Sequence, residues 1–80
     1  PDVPEEEPAV DALSEADILG FIQQLPAGYR VVFNLYAIEG KTHGDIAKLL
    51  GIRPDSSASQ YARARRLLAK MINDYRLKTR

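Results

Sequence analysis

Cysteine is absent from the chain, which excludes disulfides and thiolate metal sites. The absence fits a reducing cytoplasm, and a cytoplasmic location is expected. There is one histidine, His43, and a single imidazole does not make a zinc site. No metal and no cofactor is therefore expected. No apolar run approaches the roughly 18 residues that a membrane span needs. The start is acidic and proline-rich, unlike a signal peptide. Alternating runs of β-branched residues are missing, so no strand is expected. No nucleophile stands with a base, and an enzyme is not expected. Internal repeats are missing too.

The 80 residues that are there suit one small domain. Formal net charge is zero, but the charges are segregated. Residues 1–40 carry eight acids and one base; residues 41–80 carry ten bases and three acids. A basic half can meet a polyanion; equally, both halves can be ordinary solvated faces. PDVPEEEPAV holds three prolines and three consecutive glutamates, so 1–13 is expected to be a linker. Glu5 to Glu7 could also imitate DNA on the basic face. Because the chain starts at Pro1 rather than Met, it is expected to be a piece of a longer one.

The rest predicts four helices in a domain over 14–77, with 78–80 as a tail. S-E-A-D at Ser14 has capping-box form, and Ile18, Phe21, Ile22 and Leu25 come after it at helical spacing. Pro26 ends this first helix. The second is expected over 27–38, with Val31, Val32, Leu35, Tyr36 and Ile38 as its buried stripe and Gly40 as its stop. T-H-G-D at Thr42 starts a short third helix, which Gly51 ends in the left-handed conformation. Pro54 suits the first position of a fourth helix. Tyr61, Ala64, Leu68, Met71 or Ile72, and Tyr75 keep one of its faces apolar.

A short helix, a glycine turn, an apolar anchor at Ile52 and a second helix make a helix-turn-helix. Ala47 is small where the two helices must approach. A protruding helix about 10–12 Å across fits the major groove of B-DNA. Ser56, Ala58, Ser59 and Ala62 are small enough to let the backbone sit near base edges. Arg63 is long enough to reach a guanine O6/N7 pair. Arg53, Arg65, Arg66 and Lys70 are placed for phosphates. Free amides at Thr42 and His43 offer a positive helix end to another phosphate. Helix-turn-helix geometry also occurs in bundles that touch only protein.

LPAGYRVVFNLYAIEGKTHGDIAKLLGI and then SSASQYARARRLL resemble region 4 of bacterial sigma factors, most of all the extracytoplasmic-function group of the sigma-70 family. LP…YR.VF.L, the EG turn, the IA..LGI core and the SQ.ARARRLL end fall in register without gaps, over about residues 14 to 72. The resemblance implies an all-α fold, a small four-helix domain with a C-terminal helix-turn-helix of the winged-helix-like DNA-binding superfamily. It implies sequence-specific binding of the −35 promoter element and docking on the β-subunit flap of RNA polymerase. In many members it also implies an anti-sigma factor. By position, Ala58, Ser59, Ala62 and Arg63 would face bases, while Thr42, His43, Ser56, Gln60 and Arg66 would lie near phosphates. The acidic start would be the linker from region 2. That region opens the promoter, so this segment by itself is not expected to initiate transcription.

Three positions depart from the family pattern. Arg53 stands where a capping serine is common. Ala58 replaces a frequent lysine, which removes a charge and shifts the expected promoter preference. Gly44 replaces a charged residue and weakens the third helix by up to roughly 1 kcal/mol relative to alanine. Two rival classes stay open: the output domain of a two-component or quorum-sensing regulator, and a pure protein-interaction module.

Overall fold

The computed structural model describes residues 13–78. The expected linker, Leu13 apart, lies outside the described residues, as do Thr79 and Arg80. The elements are α1 (Glu15–Gln23), α2 (Ala27–Phe33), a π-helical turn (Asn34–Ile38), α3 (His43–Leu50) and α4 (Pro54–Lys78). No strand occurs among the described residues. This is the all-α, four-helix arrangement expected of a sigma region 4 fold, with α4 running one residue past the expected end.

Local chemistry sets the helix ends. Ser14 Oγ accepts from Asp17 N–H at 3.0 Å, and Ser14 N–H donates to the Asp17 carboxylate at 3.2 Å. That reciprocal pair satisfies two amides that α1 itself cannot. Thr42 Oγ1 accepts from Asp45 N–H at 3.1 Å and caps α3. Gly51, at φ 70°, ends α3. The amides of Gly51 and Ile52 both donate to the Ala47 carbonyl, at 2.8 and 3.0 Å. This closure turns the chain sharply from α3 into α4.

The second helix differs from its expectation. It is α-helical only to Phe33; the next five residues make a wider π turn. Glu39 N–H donates five residues back, to the Asn34 carbonyl, at 3.0 Å. A π turn holds an extra residue and rotates the residues after it relative to a straight α-helix. Of the expected buried stripe, Val32 is buried and Leu35 half-buried, while Val31, Tyr36 and Ile38 are exposed, Ile38 most of all at 60%; Val31 precedes the π turn and Tyr36 and Ile38 lie in it. In return, the Tyr36 ring stacks on His43.

The core lies between α4 and the helices before it. Ile22 and Leu25 from α1 and the turn after it meet Ala64 and Leu68 of α4, flanked by Phe21, Tyr29, Phe33, Leu67, Met71 and Ile72. Val32 and Ile46 are fully buried. Ala47 is buried too, as expected where α3 and α4 approach. Ser57 is the single buried polar residue among those described.

Two glycines around α3 have opposite expected effects. A Cβ on Gly44 would meet only Thr42 Oγ1, at 3.7 Å, an ordinary contact. Gly44→Ala is expected to stabilise the domain by about 0.4–1 kcal/mol. Gly51 holds a positive φ that alanine adopts poorly, so Gly51→Ala is expected to cost about 1–2 kcal/mol. Urea unfolding of both variants beside the parent checks the pair, and equal midpoints would contradict it.

Candidate nucleic-acid interface

α4 presents its outer face because its inner face is bound to the core. Ser57, Ala64 and Leu68 point inward at helical spacing. Ala58, Ser59, Ala62, Arg63 and Arg66 share the other side. Ala58, Ser59, Arg63 and Arg66 are exposed, and Ala62 is half-buried. Asp55, Ser56, Ser59, Gln60 and Arg63 line a shallow polar hollow at the start of the helix. One turn further on, Ala62, Arg65, Arg66 and Ala69 line another hollow, of mixed polar and apolar character. Small side chains thus lie low along the middle of the face, and arginines stand up from it.

The other candidate residues are less alike than their sequence positions suggest. Arg53 Nε donates to Asp55 Oδ1 at 3.1 Å, on the surface. Lys70 Nζ donates to Asp74 Oδ2 at 3.1 Å, one turn along α4. Exposed pairs of this kind are weak, about 0–1 kcal/mol, so an anion can compete for either cation. The Arg65 guanidinium lies 5.9 Å from the Tyr61 ring centre, toward the aromatic flank. Gln60 is half-buried; its Oε1 lies 3.3 Å from where a Cβ on Gly28 would stand. It faces the start of α2 as well as the polar hollow. Thr42 is exposed, but its hydroxyl caps α3.

His43 is the residue whose surroundings sequence reading missed. Its Nδ1 and the Oγ of Ser57 are 2.8 Å apart and hydrogen-bond each other. Its ring lies flat on Tyr36, with centroids 4.2 Å apart and 8° between planes. Tyr61 of α4 leans on Tyr36 at 4.5 Å and stacks on Phe33 at 5.7 Å. A continuous aromatic contact therefore links α2, the π turn, α3 and α4. The signal for Ser57 was available: it falls seven residues before Ala64, on the same helical stripe. The Tyr36–His43 contact had no such signal, because it depends on the π turn.

Residues 15–68, more than half of the chain, match the family model of sigma-70, region 4. The chain belongs to that family. No curated protein and no solved structure gives a match. A sigma region 4 domain works in a sigma factor, where it binds promoter DNA and meets RNA polymerase. The exposed face of α4 belongs to the helix-turn-helix that α3 and α4 form. Among the described residues, no helix of this sigma region 4 domain is long and apolar enough to cross a membrane.

Proposed function

We propose that this domain recognises the −35 promoter element as the region 4 of an extracytoplasmic-function sigma factor. The observation that carries the reading is the outer face of α4, with small residues along its middle and cations around them. Entering the major groove, α4 would bring Ala58, Ser59 and Ala62 within van der Waals reach of base edges. Arg63 would bond to a guanine O6/N7 pair. Thr42, Arg53, Ser56, Arg65, Arg66 and Lys70 would hold phosphates, supplying affinity and register rather than sequence information. Arg53 and Lys70 would exchange their carboxylate partners for phosphate oxygens.

A protein partner is supported by a separate surface. Ala27, Gly28, Val31, Leu50, Ile52 and Gln60 line a mostly apolar hollow between α2 and the turn before α4. Val31 and Leu50 are exposed, as are Ile18 and Leu19 on α1. Exposed apolar groups of this kind suit a protein contact. In this reading they receive the polymerase flap or an anti-sigma factor.

The test is selection from a randomised duplex pool at low salt, with sequencing of the bound fraction. An enriched motif is the expected result. A salt-dependent affinity with no motif would leave the basic face without base reading. No binding at low salt, together with flap binding unaffected by charge reversal at Arg63 and Arg66, would favour a domain that contacts only protein.

A further inference from the structure

We propose that His43 and Ser57 form a positioning pair that sets how α4 is seated in the DNA groove. The inference rests on the DNA-reading role of α4 and moves His43 from a phosphate contact to a residue acting through that helix. The pair joins the first residue of α3 to the first turn of α4, at 2.8 Å. Ser57 is fully buried and precedes Ala58, the first of the small residues on the outer face. A shift at Ser57 therefore moves Ala58, Ser59 and Arg63 with it, because one rigid helix carries all of them.

Packing alone does not explain a serine there. Alanine would fill most of the space and carry no hydroxyl to desolvate. A buried hydroxyl is tolerated when it is hydrogen-bonded, and the bond it makes is directional. Apolar contacts between α3 and α4 hold the two helices together but are non-directional. The His43–Ser57 bond fixes one such coordinate at the end of α4 that carries the small residues. Base reading needs functional groups held within about 0.5 Å. His43 is itself held: its ring lies against Tyr36, and Tyr36 against Tyr61 of α4. With Nδ1 bonded to Ser57 and one face on Tyr36, the ring is held in one orientation.

The experiment uses the 80-residue chain, the motif duplex selected by the parent and a scrambled duplex of equal length. The variants are Ser57→Ala, His43→Phe and His43→Asn. Phenylalanine keeps the stacking on Tyr36 and loses the bond; asparagine loses the ring but returns a polar atom near the position of Nδ1. Ser57→Ala and His43→Phe are expected to lower the motif-to-scrambled affinity ratio about three- to tenfold, the range one net hydrogen bond supplies. His43→Asn is expected to restore most of the ratio. Scrambled-duplex affinity and the salt slope should stay at the parent's values, which a loss of folding would not leave intact. Thermal unfolding verifies the fold of each variant.

An unchanged ratio in Ser57→Ala and His43→Phe overturns the proposal. Equal losses on both duplexes, with a shallower salt slope, return His43 to a phosphate. A ratio kept by phenylalanine and lost by asparagine assigns the effect to stacking. A parent that selects no motif removes the DNA-reading role itself, and the positioning pair falls with it. A parent with a motif whose variants keep it removes the pair alone.

Discussion

Arg63→Ala is expected to relax the selected motif at one base pair while leaving the rest of the motif and the fold in place. Arg63 is exposed and lies on the same face as Ser59, one turn further along α4. It makes no hydrogen bond or ion pair among the described residues, so its removal breaks no such internal contact. Truncation of such a side chain costs stability little, within about 0.5 kcal/mol. Its expected effect on binding is much larger. A bidentate arginine–guanine contact is worth about 1–3 kcal/mol of discrimination, or roughly five- to 150-fold. The measurement is duplex selection with parent and variant, then titration of the preferred site and of its single-pair substitutions. Arg66→Ala is the internal comparison. If Arg66 holds a phosphate, its loss weakens every duplex by a similar factor and lowers the salt slope by about one. If Arg63→Ala behaves like Arg66→Ala, Arg63 also holds a phosphate, and base reading must come from Ser59 and its small neighbours.

How much of this was legible in the sequence varies from element to element. The caps were, because Ser14 and Thr42 act on amides three residues away, and local spacing is what a sequence displays. Gly51 was legible for the same reason: a positive φ at a helix end selects glycine almost alone. The outer face of α4 is set by its inner one, since a helix with Ala64 and Leu68 buried must turn Ala62, Arg63 and Arg66 outward. The π turn was not legible. Its extra residue is marked by the Glu39 N–H to Asn34 carbonyl bond, a backbone feature that apolar periodicity over residues 27–38 does not register. Tyr36 and Ile38, inside the turn, were misplaced with it, and so was Val31 before it. His43 stands at a helix start, where a phosphate contact is a sound general expectation. Its hydrogen-bond partner within the domain, Ser57, sits 14 residues on and is brought near only when α3 and α4 pack. What the sequence hid was therefore the coupling between elements, while the elements themselves were mostly visible.

Ile46→Ala is expected to show that DNA reading depends on the packing of α3 against α4, at a residue that cannot touch DNA. Ile46 is fully buried in α3, beside Ala47. Truncating a buried isoleucine to alanine costs about 2–5 kcal/mol, combining lost burial with the cavity left behind. A domain of this size holds roughly 3–10 kcal/mol in total, at about 0.05–0.15 kcal/mol per residue. The two ranges overlap, so the variant is expected to be partly unfolded at 37 °C. Its unfolding midpoint should fall by at least roughly 10 °C. Circular dichroism measures that fall, and titration of the selected duplex tracks binding over the same temperatures. Binding should be lost with the helical signal and regained on cooling, because the reading residues remain intact. That behaviour separates Ile46 from Arg63, whose loss should alter the motif at every temperature. If Ile46→Ala melts near the parent, the core between α3 and α4 contributes less than its burial implies. If it stays folded yet loses the motif, small displacements of α4 matter more than its stability, which is the sensitivity a positioning bond between His43 and Ser57 would exist to control.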